Sequence, residues 1–108
     1  MNDRVLFRTN PPCLLGSRDE VTGAVYFPPR ALTTDGSLRE CVRIELSSKG
    51  TLFSWTRFAG RYFGQIDLPE GVRLQCALDD GAHEIGAVYA LDIFRTESGA
   101  QDWRFIRD

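Results

Sequence analysis

The sequence has one histidine, His83, and its three cysteines, Cys13, Cys41 and Cys76, are never two residues apart. The three cysteines and His83 nominally supply a Cys3His zinc set, but without a Cys-x-x-Cys pair nothing in the spacing supports one, and no close Cys–His pairing activates a thiol. The chain also lacks a Gly-x-Ser-x-Gly turn and a glycine-rich phosphate loop. These absences exclude the usual self-contained acyl-transfer and nucleotide-hydrolysing sites. No apolar run approaches the roughly 18 residues that cross a bilayer, and no charged-then-apolar leader opens the chain, so a cytoplasmic protein without a membrane partner is expected. No stretch combines helical periodicity with caps, which predicts an almost entirely β domain.

Lysine is nearly absent as well: of thirteen basic residues only Lys49 is not arginine. Planar guanidinium groups suit phosphate and carboxylate partners, although a genomic preference for arginine codons gives the same bias. The net charge of −2 argues against broad nucleic-acid binding, which draws its affinity from phosphate neutralisation. At 108 residues the chain has room for one modest core. Cys41 and Cys76 fall inside apolar strand patterns and read as small core residues with reduced thiols.

What is present between Leu15 and Gly36 has the layout of a zinc ribbon stripped of its ligands. A turn at Gly16–Gly23 leads into Ala24-Val25-Tyr26-Phe27, Pro28-Pro29-Arg30 stops that strand, and Thr33-Thr34-Asp35-Gly36 makes a second turn. Four thiolates would be needed where the turns offer Asp19, Thr22, Thr33 and Gly36, so this segment is expected to bind no zinc and to hold its shape by packing, with Val25 and Phe27 buried.

From Arg39 onward the pattern is period two. Val42, Ile44 and Leu46 alternate with Arg43 and Glu45, Ser47–Gly50 interrupts, and Thr51–Phe58 resumes. Two explanations compete for this stretch, a hairpin of two short strands or one long strand bent at a glycine bulge. Further strands are predicted at Tyr62–Leu68, Val72–Leu78, Ala87–Arg95 and Asp102–Arg107, separated by turn residues. Asp79–Gly86 allows one helical turn at most, and Asp79-Asp80 reads as a solvated turn before Gly81 rather than a catalytic carboxylate pair. Five strands with a long first one fit the five-stranded OB-fold barrel, with an SH3-like barrel as the nearest competitor. The expected organisation is an N-terminal arm over 1–14, a degenerate, metal-free ribbon-like segment over 15–38 and the barrel over 39–108.

Tyr26–Arg30, Leu46–Thr56, Tyr62–Leu74 and Ile85–Val88 stand in an order and spacing that resembles the acyl-CoA-associated OB-fold family, long catalogued as a domain of unknown function. Members join a rubredoxin-like zinc ribbon to an OB-fold. This chain departs from them in lacking the ribbon cysteines and in having its helical lead-in reduced to Met1–Pro12. The resemblance implies a non-catalytic accessory subunit of a thiolase-, aldolase- or hydratase-like enzyme in lipid or polyketide metabolism. Such a subunit has no catalytic residue or cofactor of its own, and helps to line the partner's site for a CoA thioester.

Two groups of residues are the candidates for that surface. Arg57, Phe58, Arg61 and Tyr62 bracket the loop between the first two barrel strands, where guanidinium groups beside aromatic planes can hold phosphate and stack a base. Tyr26, Phe27, Pro28, Pro29 and Arg30 form either a rigid link between ribbon and barrel or a docking element for the partner. The alternative function for the same features is an OB-fold module that binds single-stranded nucleic acid.

Overall fold

The computed structural model describes residues 6–108 and contains strands but no helix among them. No helix of the described residues is therefore long and apolar enough to cross a membrane. The chain is an all-β protein built as a small sheet followed by a closed barrel.

The small sheet centres on β2 (Pro12–Arg18), which pairs with β1 (Phe7–Thr9), β3 (Val25–Tyr26) and β4 (Val42–Glu45), all antiparallel. Cys13, Leu14, Leu15, Gly16 and Ser17 of β2 are all buried, as an unbroken apolar run predicts for a strand covered on both faces. Gly16 permits that covering. A Cβ there would lie 2.8 Å from the Tyr26 carbonyl oxygen and 3.1 Å from a Leu46 methyl.

The barrel contains β5 (Lys49–Phe58), β6 (Arg61–Asp67), β7 (Arg73–Leu78), β8 (Val88–Arg95) and β9 (Gln101–Arg107), closed in the order β5-β6-β7-β9-β8. That is the strand order of an OB-fold-like barrel, and closure covers most of the edges that apolar strands would otherwise present, with β7 and β9 paired at one position only. Alternation decides which side chains point inward: Ile66 of β6, Leu74, Cys76 and Leu78 of β7, Tyr89 of β8 and Phe105 of β9 are buried. Ala59 and Gly60 join β5 to β6 with φ of 53° and 78°, the left-handed pair that a tight two-residue hairpin requires. One hydrophobic cluster serves both parts, because Leu14 of β2 and Leu46 just beyond β4 lie in the same core as Leu52, Ile66, Tyr89 and Phe105.

Three details differ from the sequence-based expectation. Residues 7–14 are not a free arm: they form the β1–β2 hairpin, and β2 runs across the boundary drawn between 14 and 15. Met1–Val5, the rest of that arm, lies outside the described residues. The stretch around Ser47 is neither a hairpin nor one bent strand. β4 pairs with β2, and the barrel begins only at Lys49. The chain is turned between them by two anchors, the Leu46 N–H on the Leu14 carbonyl (2.9 Å) and the Glu70 carboxylate accepting from both the N–H and hydroxyl of Ser47 (3.0 and 2.7 Å). The irregularity in β5 falls instead at Phe53, between the pairs Leu52↔Ile66 and Ser54↔Gln65. Finally, Cys76 is a core residue as expected, but Cys41 is only half-buried.

Candidate functional site

The two ribbon turns are joined by ion pairs. Asp19, at the end of β2, is 1% exposed and accepts from the Val21 N–H, the Thr22 hydroxyl and the Arg39 guanidinium (Nη2, 2.6 Å). Arg39 also reaches Asp35 in the second turn at 3.0 Å, while Thr33 and Ser37 donate to the Asp35 carboxylate. These hydrogen bonds, from Arg39 and Thr22 at Asp19 and from Ser37 and Thr33 at Asp35, hold both carboxyls well below the usual carboxylate range. The same bonds raise the Arg39 value. Asp19, Thr22 and Thr33, three of the four positions where a ribbon would carry thiolates, thus belong to one network with a guanidinium as its cation. This donor set does not fit zinc, which would have to displace Arg39 and would find hydroxyls where it takes thiolate or imidazole. No group of three or more His, Cys, Asp or Glu side chains among the described residues could hold a metal ion.

The first candidate group is brought together on the β5–β6 hairpin. Phe58 is 73% exposed at its tip, the Arg57 guanidinium sits 5.7 Å from the Tyr62 ring centroid, and that of Arg61 sits 5.8 Å from the Phe63 ring. Among the described residues neither arginine has a carboxylate partner, in contrast to Arg8, Arg39, Arg73, Arg104 and Arg107. Arg61 and Tyr62 line a cavity of about 270 Å³ together with Phe94 of β8 and Arg104 of β9. Arg104 is held by Asp92 at 2.9 Å and lies 4.5 Å from the Phe94 ring centroid. Sequence reasoning places Trp103-Arg104 at the opening of the last strand, beside the second binding loop of the barrel, and misses Phe94, which comes from a strand more than thirty positions away.

The second candidate group is divided by the fold. Phe27 packs edge-to-face on Trp103 of β9 at 5.7 Å and belongs to the packing around the core, so it ties the small sheet to the barrel. Tyr26 is half-buried, with the Arg30 guanidinium 5.9 Å from its ring centroid. Pro28 is exposed and Pro29 half-buried, and the Arg30 N–H donates to the buried Ser17 hydroxyl at 2.8 Å. Pro28 and Arg30 are the members of this group left exposed.

The whole arrangement, small sheet and barrel, has a solved counterpart. A chain of the "Ltp2-ChsH2(DUF35) aldolase" superposes with a TM-score of 0.71 at 19% identity, covering 88% of this chain and 84% of that one. The two share a fold. No protein-family model matches the chain, and no curated protein matches it. The likeness to the DUF35 aldolase chain covers the ribbon-like sheet as well as the barrel, since 88% of this chain cannot be matched by the barrel alone.

His83 and Cys76 are engaged in the fold. His83 donates from Nε2 to the Asp79 carbonyl (2.9 Å), which fixes its tautomer, and its Nδ1 then accepts from the buried Tyr89 hydroxyl (2.8 Å). Trp55 and Tyr62 close around the imidazole at ring-centroid distances of 5.8 and 5.1 Å. Burial pushes the Cys76 thiol up to about 12, so it stays protonated at neutral pH.

Proposed function

We propose that this chain is a non-catalytic accessory subunit that docks on an aldolase-, thiolase- or hydratase-like enzyme and helps to form its acyl-CoA site. The observation that carries this reading is the shared fold with the DUF35 aldolase chain across both the sheet and the barrel. The side chains support it from the other direction. The single imidazole spends both nitrogens on Asp79 and Tyr89, and the Cys76 thiol is protonated, so neither supplies the base or nucleophile of acyl transfer. Arg57 and Arg61, unpaired beside Tyr62 and Phe63, are the residues assigned to CoA phosphate or to partner carboxylates. Single-stranded nucleic acid is the weaker reading, because Arg8, Arg73, Arg104 and Arg107 each answer a carboxylate and leave no continuous basic track. No cofactor and no zinc of the chain's own are part of this proposal.

The test is native affinity purification of the full chain, with identification and assay of whatever co-elutes in fixed stoichiometry. An acyl-CoA enzyme whose activity is absent from the isolated chain supports the reading. Aldolase, thiolase or hydratase activity in the isolated chain would sink it. In the complex, Arg57→Ala combined with Arg61→Ala is expected to weaken CoA binding or partner affinity and to leave the urea midpoint of the isolated chain unchanged.

A further inference from the structure

The barrel has a seam. β7 and β9 run parallel, and their register pairs them at one position, Leu78↔Phe105. Toward the start of each strand they part: Gln75, Cys76 and Ala77 of β7 and Asp102 and Trp103 of β9 line a cavity of about 670 Å³ that continues over Ser54, Phe63 and Gln65. Over this stretch β7 is paired with β6 on one side only, and β9 with β8 on one side only. Asp102 and Trp103 also line a second cavity of about 710 Å³, whose opposite wall is the consecutive run Leu6–Asn10. That run contains β1, which pairs with β2 alone among the described strands. One groove therefore follows three strand edges whose main-chain N–H and C=O groups have no ladder partner among the described strands. Such edges are templates for another strand.

The geometry points to an extended segment of another polypeptide, added to the β7–β9 seam and running on beside β1, as the occupant of this groove. It rests on the accessory-subunit reading, in which that segment belongs to the partner enzyme. The groove's chemistry selects a peptide over a phosphorylated ligand. Among the described residues its one basic lining residue is Arg8, which is bound to Glu45, and the groups it offers are aromatic rings, the Gln65 and Gln75 amides and main-chain edges. Its charge selects the peptide's character. Asp102 stands where the two cavities meet, exposed, with only the N–H of the next residue, Trp103, donating to it at 2.8 Å. The segment should carry apolar side chains at alternate positions, for Phe63 and Trp103, and a lysine or arginine for Asp102.

A random nine-residue peptide display library, selected on the full chain, is the probe. Enriched peptides should combine alternate apolar residues with a basic one. Asp102→Lys, an exposed change that leaves the fold intact, should weaken the selected peptides by about tenfold or more and shift a fresh selection toward acidic residues. N-methylation of either alternate set of backbone amides should abolish binding, because over the β7–β9 seam each set faces one of the two open edges. The proposal is overturned by an absence of enrichment, by binding indifferent to both changes, or by a dimer of this chain in sedimentation that Asp102→Lys dissociates. Co-elution of an acyl-CoA enzyme with the unmutated chain is scored separately, so loss of the groove and loss of the accessory role give different results.

Discussion

The small sheet and the barrel solve the same problem, holding loops in place, by opposite means. The barrel closes on itself and fills with Leu52, Ile66, Leu74, Leu78, Tyr89 and Phe105, so its strands are fixed by apolar burial. The two turns at the outer end of the small sheet have almost no core beneath them: Val21 and Leu38 are 73% and 65% exposed. They are fixed by directional bonds that converge on Arg39. Burial is insensitive to pH and tolerant of surface change. A network of carboxylates, hydroxyls and one guanidinium is sensitive to both.

The largest expected effect separates barrel from sheet most sharply. Phe105→Ala removes a fully buried ring and should cost about 3–5 kcal/mol in urea denaturation, lowering the midpoint for the whole molecule in one transition. Phe27→Ala, which removes only a half-buried ring on Trp103, should cost about 1–3 kcal/mol. Equal costs would mean that sheet and barrel do not differ in how they are anchored.

Acid should act on the sheet first. The carboxyls of Asp19 and Asp35 are held below their ordinary value near 3.8 in the folded state. Their stabilisation is therefore complete above that value and is lost as pH falls through the lower folded values. Amide exchange in the 19–23 and 33–39 turns should accelerate below about pH 4 while that of β6 and β7 stays slow. Asp19→Asn should make the turns exchange quickly at neutral pH and remove most of this pH dependence.

The smallest effect expected is none. Elemental analysis should find no stoichiometric zinc after dialysis, and a chelator should leave the melting temperature of the chain unchanged. One retained zinc per chain, or a chelator-induced drop, would contradict the assignment of the turns to an ion-pair network.

The difference between the two regions also explains what was legible beforehand. Strands at Tyr62–Leu68, Val72–Leu78, Ala87–Arg95 and Asp102–Arg107 were readable to within a residue of β6, β7, β8 and β9, because alternation and turn residues are local signals. The partner of Val42–Glu45 was not readable, since a four-residue alternating strand has the same pattern whichever sheet it joins. The hairpin group Arg57, Phe58, Arg61 and Tyr62 was visible for the same local reason, and Arg104 was visible from its place at the opening of the last strand, whereas Phe94 beside them depends on barrel closure. Arg39 escaped because its main contact, Asp19, lies twenty positions away. The available signal was chemical: an aspartate in each of two turns that lack thiolates calls for a cation from elsewhere in the chain.

Leu14 and Leu46, which belong to the small sheet by sequence and to the barrel by packing, set a limit on dissection. A fragment starting at Lys49 would have an open hole in its floor, and one ending before β5 would keep two leucines with nothing to sit in. The sheet is thus a stopper that the barrel cannot be stored without. A stopper seated from below leaves its upper rim free of the barrel's packing, and there two aspartates and an arginine tie one turn to the other.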